Sequence, residues 1–162
     1  MALMDEAVKA VADAAGWKMP EPDRDGAYHF HLKGDLDFSL FSPDGRNCII
    51  RAKVQDLPVD SMQREDLLRD ASRRQVGVCR TRPSVLSVEK AGQSLMAADD
   101  GTDKLMPFRQ LRLEAGEYEA PKAAVKEFLN DLAWWKASFG STQNSGQQGF
   151  FSMQGMFSGG GF

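Results

Sequence analysis

Between Tyr28 and Val54 the chain alternates apolar and polar side chains in three short runs, joined by connections with room for turns and nothing else. Tyr28-His29-Phe30-His31-Leu32 gives way at Lys33-Gly34 to Leu36-Asp37-Phe38-Ser39-Leu40, and Ser42-Pro43-Asp44-Gly45 then leads into Cys48 to Val54. A period of two marks half-buried strands. Parallel neighbours need a crossover of roughly a dozen residues or more, so these three strands are predicted to form an antiparallel meander. Pro43 suits the second position of a tight turn and Gly45 takes positive φ readily, which favours the second corner.

Helical periods flank this section. Leu3, Met4, Ala7, Val8, Val11 and Ala15 recur at helical spacing, Gly16 is suited to the left-handed cap, and Pro20 and Pro22 forbid continuation. After Leu57-Pro58, Asp60 and Gln63 have the spacing of a capping box for a helix carrying Leu67, Leu68 and Ala71, expected to stop by Gly77. Val85 to Glu89, Gln93 to Ala97 and Leu105 to Leu113 read as a second strand section. Pro121 opens a last helix whose Val125, Phe128, Leu129, Leu132, Trp135 and Phe139 form one broad stripe. The predicted order is α-β-β-β-α-β-β-β-α: an α+β fold with an antiparallel sheet and helices packed on it. Adjacent helical positions lie about 100° apart, so Trp135 is assigned to the core and Trp134 to a partly exposed position.

Charge sets the domain boundary. The 162 residues include 20 Lys and Arg against 23 Asp and Glu, and every one of them precedes residue 137. A domain over 1–139 is predicted, followed at 140–162 by a flexible Gly/Ser/Gln/Phe tail too poor in branched apolar residues to form a core. The net charge of -3 gives no electrostatic case for nucleic-acid binding. No apolar run approaches the roughly 20 residues of a membrane-spanning helix, so no membrane insertion is expected. Asp5, Glu6 and Asp13 make the start unlike a secretory signal, and a cytoplasmic location is expected, with Cys48 and Cys79 as reduced thiols.

Candidate chemistry is sparse. His29 and His31 share one side of a strand as metal pairs do, but no third ligand is indicated, and two polar residues on a solvent face is the simpler reading. No metal site and no cofactor are predicted. Arg69, Arg73, Arg74, Arg80 and Arg82 form a basic cluster that reads as a solvated helix face or a seat for an acidic partner. There is no nucleophile elbow, phosphate loop or dinucleotide fingerprint, so no catalytic residue is assigned. The enzymatic alternative is a small-ligand pocket lined by Phe30, Phe38 and Phe41 with His29 or His31 as acid-base.

The helix ending in AAGW, the stretch YHFHLKGDLDFSLFSPDGRNCIIRAKVQDLP and the final FLNDLAWWKASF together resemble class I type III secretion chaperones of the Tir-chaperone (CesT-type) family, over residues 3 to 139. The resemblance implies a bacterial homodimer without ATPase activity that holds the N-terminal segment of a secreted effector extended, with the secretion-system ATPase as a further partner. A scaffold or sensory module of the same fold without a secretion client is the alternative within that fold. Extended-segment binding needs apolar surface and a free strand edge and no reactive side chains. Effector binding is accordingly expected at Leu3, Val8, Val11, Phe38, Leu40, Phe41 and Ile49, as apolar positions that core packing leaves partly unused. The family places its twofold interface on the middle helix and following strand, here Leu67, Leu68, Ala71, Val85 and Leu86. The tail carries Phe150, Phe151, Met153, Met156, Phe157 and Phe162 with no charge among them, and is expected to lie on a client surface as a mimic, in cis or on a neighbour, or to serve only as a packing contact.

Overall fold

The computed structural model describes residues 2–92 and 101–140. The first helix, α1 (Leu3–Ala15), ends where Gly16 adopts φ 69° and the Trp17 N–H returns to the Ala12 carbonyl at 2.8 Å. Strands β1 (Tyr28–Phe30), β2 (Phe38–Phe41) and β3 (Asn47–Ala52) then form the antiparallel meander, with Tyr28 opposite Leu40 and Phe41 opposite Ile49. The first two strands pair over fewer residues than their alternation suggests. Gly34 and Asp35 both take positive φ, so a broad loop over 31–37 replaces the two-residue turn expected at Lys33-Gly34.

The third strand does not run unbroken to Val54. A short β4 (Gln55–Asp56) follows it on the same neighbour, β6 (Lys104–Arg112). Arg51 pairs with Phe108 and Gln55 with Leu105, so the β3–β4 side carries one residue more than β6 over the same stretch. This is a β-bulge, which bends the strand and adds twist. Pro107 sits opposite it. Proline lacks the donor that a central strand requires and is tolerated where the ladder is interrupted. On the other side of β6 lies β5 (Val85–Glu89), whose Leu86 N–H turns away to Gln75 Oε1 at 2.9 Å, so the Pro107 nitrogen faces the bulge.

The middle helix, α2 (Ser61–Val78), begins with the Asp60 carboxylate accepting the Gln63 N–H at 3.0 Å, as expected. It passes through Gly77 in place of stopping there, because glycine is merely disfavoured in a helix and the chain turns only after Cys79. The last helix, α3 (Glu119–Gly140), is capped by Glu117, whose carboxylate accepts the N–H groups of Glu119 and Ala120. Among the described residues the order is therefore α-β-β-β-β-α-β-β-α. The strand expected at Gln93 to Ala97, and the tail from residue 141 onward, lie outside the described residues.

Both core clusters lie on one face of the sheet. Val8 and Val11 of α1 and Val125, Phe128 and Leu132 of α3 pack on Phe30, Phe38, Leu40 and Ile50. Beyond them α2 rests through Leu67, Leu68 and Ala71 against Leu57, Leu105, Trp135 and Phe139. Trp135 is fully buried and Trp134 half-buried under the Arg82 guanidinium, 4.6 Å from its ring, in agreement with their predicted division.

Between the two clusters sits a buried carboxylate. Asp131 of α3 accepts from Arg82 Nη1 at 3.0 Å, from the Ser84 N–H at 3.2 Å and from Ser84 Oγ at 2.7 Å. Replacing Asp131 by Ala strands these donors, and urea denaturation is expected to register a loss of about 2–3 kcal/mol, discounted for the partial exposure of Arg82. A loss below about 0.5 kcal/mol would show the network to be dispensable.

Candidate partner-binding surfaces

Strand alternation gives the sheet two unlike faces. Tyr28, Phe30, Phe38, Leu40, Cys48 and Ile50 point to the helices, whereas His29, Ser39, Phe41, Ile49 and Arg51 point the other way. Cross-strand register extends this outer face through Met106 and Phe108 of β6 to Val85, Ser87 and Glu89 of β5. Arg51 and Glu89 stand on strands at either side of β6, yet Arg51 Nη1 lies 3.5 Å from Glu89 Oε2. The face is therefore concave. The Arg51 guanidinium also lies 4.6 Å from the centre of the Phe41 ring, and burial lowers its pKa against the raising effect of Glu89.

The expected effector-binding residues divide between these environments. Val8, Val11, Phe38 and Leu40 are at most 2% exposed, so they belong to the core and offer no surface. Their helical stripe and inward alternation commit them to the packing of α1 and α3 on the sheet. Leu3, Phe41 and Ile49 are half-buried and keep apolar surface available. Phe41 and Ile49 are direct cross-strand partners on the concave face.

The expected interface residues divide in the same way. Ala71 is buried, and Leu67, Leu68 and Leu86 are half-buried around the second core cluster, because the end of α3 supplies the apolar partners their narrow stripe needs. Val85 alone of the five is exposed, at 46%. Sequence reasoning missed Val59, Met62, Val76 and Val88, which are 94%, 74%, 75% and 40% exposed on α2, its entry and β5. Met62 and Val76 are on the helix side opposite Ala71, and their spacing along α2 is the signal that points to a second, outward apolar line.

The residues proposed for chemistry are dispersed. Phe30 and Phe38 stack at 4.9 Å beside Trp17 on the inner face, while Phe41 is on the outer one, so the three do not line one pocket. His29 Nε2 lies 2.7 Å from Asp23, and His31 Nδ1 lies 3.4 Å from Asp37. The His29 hydrogen bond, with the Ala27 N–H, holds the Asp23 carboxyl below its usual range. Among the described residues no three His, Cys, Asp or Glu side chains gather as metal ligands, and no helix is long and apolar enough to cross a membrane. In the basic cluster Arg69, Arg74 and Arg82 pair with Glu65, Asp70 and Asp131.

The helices and curled sheet have the fold of type III secretion chaperones. A chain of the ExsC–ExsE complex matches it with a TM-score of 0.57 over 85% of this chain and 96% of that one, at 16% identity. The Yersinia pestis type III secretion chaperone SycH, solved with a stable fragment of YscM2, matches with a TM-score of 0.51 over 82% and 98%, at 11% identity. No protein-family model and no curated sequence matches the chain.

Burial pushes the Cys48 thiol up to about 12, while Cys79 is exposed. A disulfide reagent at neutral pH is expected to modify Cys79 rapidly and Cys48 only after denaturant is added. Rapid modification of both in the native protein would show that β3 is not packed as described.

Proposed function

We propose that this chain is a type III secretion chaperone: a homodimer, acting in the bacterial cytoplasm, that binds the N-terminal segment of a secreted effector and keeps it soluble and secretion-competent. The observation that carries this reading is a chaperone fold with apolar residues exposed on α2 and β5 and half-buried ones, Phe41 and Ile49, on the outer sheet face. Such surface suits an extended segment, whose apolar side chains need seats at intervals. The proposal also takes the chain to act by binding rather than catalysis, with no cofactor, and to present its client to the secretion-system ATPase.

Client contact is placed on Leu3, Phe41 and Ile49, and the twofold contact on Val85 together with the other exposed apolar residues Val88, Met62 and Val76. Exposed apolar groups on α2 and β5 are the kind of surface that a second copy removes from water. Light scattering at micromolar concentration is expected to give twice the monomer mass, and a Val85→Asp, Val88→Asp double variant the monomer mass with unchanged circular dichroism. A wild-type monomer would refute the dimer. Pulldown from the native bacterium followed by cross-link mapping is expected to recover one or two secreted proteins held through their N-terminal segments. Leu3→Asp, Phe41→Asp and Ile49→Asp should each weaken that capture about tenfold or more, consistent with about 1.5–3 kcal/mol for one buried apolar side chain. Full capture by all three variants would remove the placement, and recovery only of partners held through folded domains would remove the function.

A further inference from the structure

The three helices leave the concave face of the sheet without a covering element among the described residues, yet its centre is out of water. Met106 is 2% exposed and Arg51 9%. Within it the Nε and Nη2 atoms of Arg51 and the Oε1 atom of Glu89 are buried with no hydrogen-bond partner. A buried donor or acceptor left unpaired is costly, the more so on a charged group. Phe41 and Ile49 border this pair with apolar surface to spare.

The chain itself holds a segment with matching chemistry. Residues 141–162 carry no charge, and set Phe150, Phe151 and Phe157 among Ser, Gln and Asn. Arg51 and Glu89 already neutralise each other, so neutral amides and hydroxyls complete their hydrogen bonds without burying a new charge. Phenyl rings fit beside Phe41, whose own face is partly taken by the guanidinium. Reach is sufficient. Lys136, one turn before the end of α3, donates to the Asp35 carbonyl in the loop between β1 and β2, so α3 ends near the margin of the sheet. Phe150 follows Gly140 by about ten residues, a span of roughly 33 Å when extended, against a gyration radius of about 14 Å for a domain of this size.

We propose that the concave face around Phe41, Ile49 and the Arg51–Glu89 pair is a docking site for this chain's own C-terminal segment, residues 141–162, with its phenylalanines on Phe41 and Ile49 and its neutral polar groups on the ion pair. The contact stands apart from the chaperone reading. If that reading holds as well, the tail occupies client surface and competes for it.

The two isoleucines, Ile49 on this face and Ile50 in the core at 0% exposure, provide probe and control side by side. The full chain, labelled with ¹³C at the isoleucine δ1 methyls, is compared with the variant Phe150→Ser, Phe151→Ser, Phe157→Ser. Docking predicts that the Ile49 methyl signal shifts and Ile50 stays in place. A nitroxide attached at Ser152→Cys in a Cys79→Ser background is then expected to broaden Ile49 several-fold more than Ile50, equally at low and high protein concentration. An unmoved Ile49 signal, or equal broadening of both methyls, overturns the proposal. Loss of the Ile49 effect on dilution also overturns it, since the occupant would then be the tail of a second copy.

Discussion

The Asp131 carboxylate joins parts of the chain that are distant in sequence. Through Ser84 it fixes the first residue before β5, and through Arg82 it fixes the segment leaving α2, both from the middle of the last helix. Trp135, the next turn of that helix, adds an Nε1 donor to Ser84 Oγ at 3.4 Å. From that entry point β5 runs along β6, and α2 packs against the end of α3. A lone carboxylate in an apolar stripe would be costly, and it is tolerated here because its acceptor positions are filled by a guanidinium, a hydroxyl and a backbone N–H.

Much of this architecture is legible in the residues. The meander follows from the brevity of its connections, the first helix from its stripe and Gly16, and the middle helix from the Asp60 cap. The sequence has a harder time separating the two sides of a sheet that are both partly apolar. In Phe38-Ser39-Leu40-Phe41, apolar groups occupy both phases of the alternation, so the pattern does not say that Phe38 and Leu40 meet the helices while Phe41 turns outward. Leu67, Leu68 and Ala71 raise a related ambiguity, since a narrow stripe serves equally for a second copy or for the end of α3. Asp131 gives a local sign, an acid within the Phe128–Trp135 stripe, but its partners lie far back in the chain and no spacing rule connects them. The bulge before β4 is marked only by Pro107, a donor missing from an otherwise regular strand.

The two sheet edges differ in what they offer an incoming chain. At β5 the Gln75 amide takes the place of a neighbouring strand, accepting from the Leu86 N–H and donating to the Ser84 carbonyl. A side chain that satisfies edge groups in this way blunts strand addition, a common protection against edge-to-edge association. At Leu86, therefore, the margin presents a side-chain amide rather than an open backbone. The opposite margin, β1, pairs only with β2 and has no such amide over it among the described hydrogen bonds.

This asymmetry divides the work that a chaperone fold has to do. In the proposed dimer, association through β5 and α2 would depend on packing of exposed apolar side chains rather than on backbone pairing. Recognition of an extended segment depends on backbone pairing together with seats for alternate side chains, and in the proposed reading the β1 margin with Phe41 and Ile49 would supply both. The same concave face holds an ion pair with hydrogen-bonding capacity left over, so an uncharged, phenylalanine-bearing segment gains there both from leaving water and from pairing polar groups that are otherwise stranded.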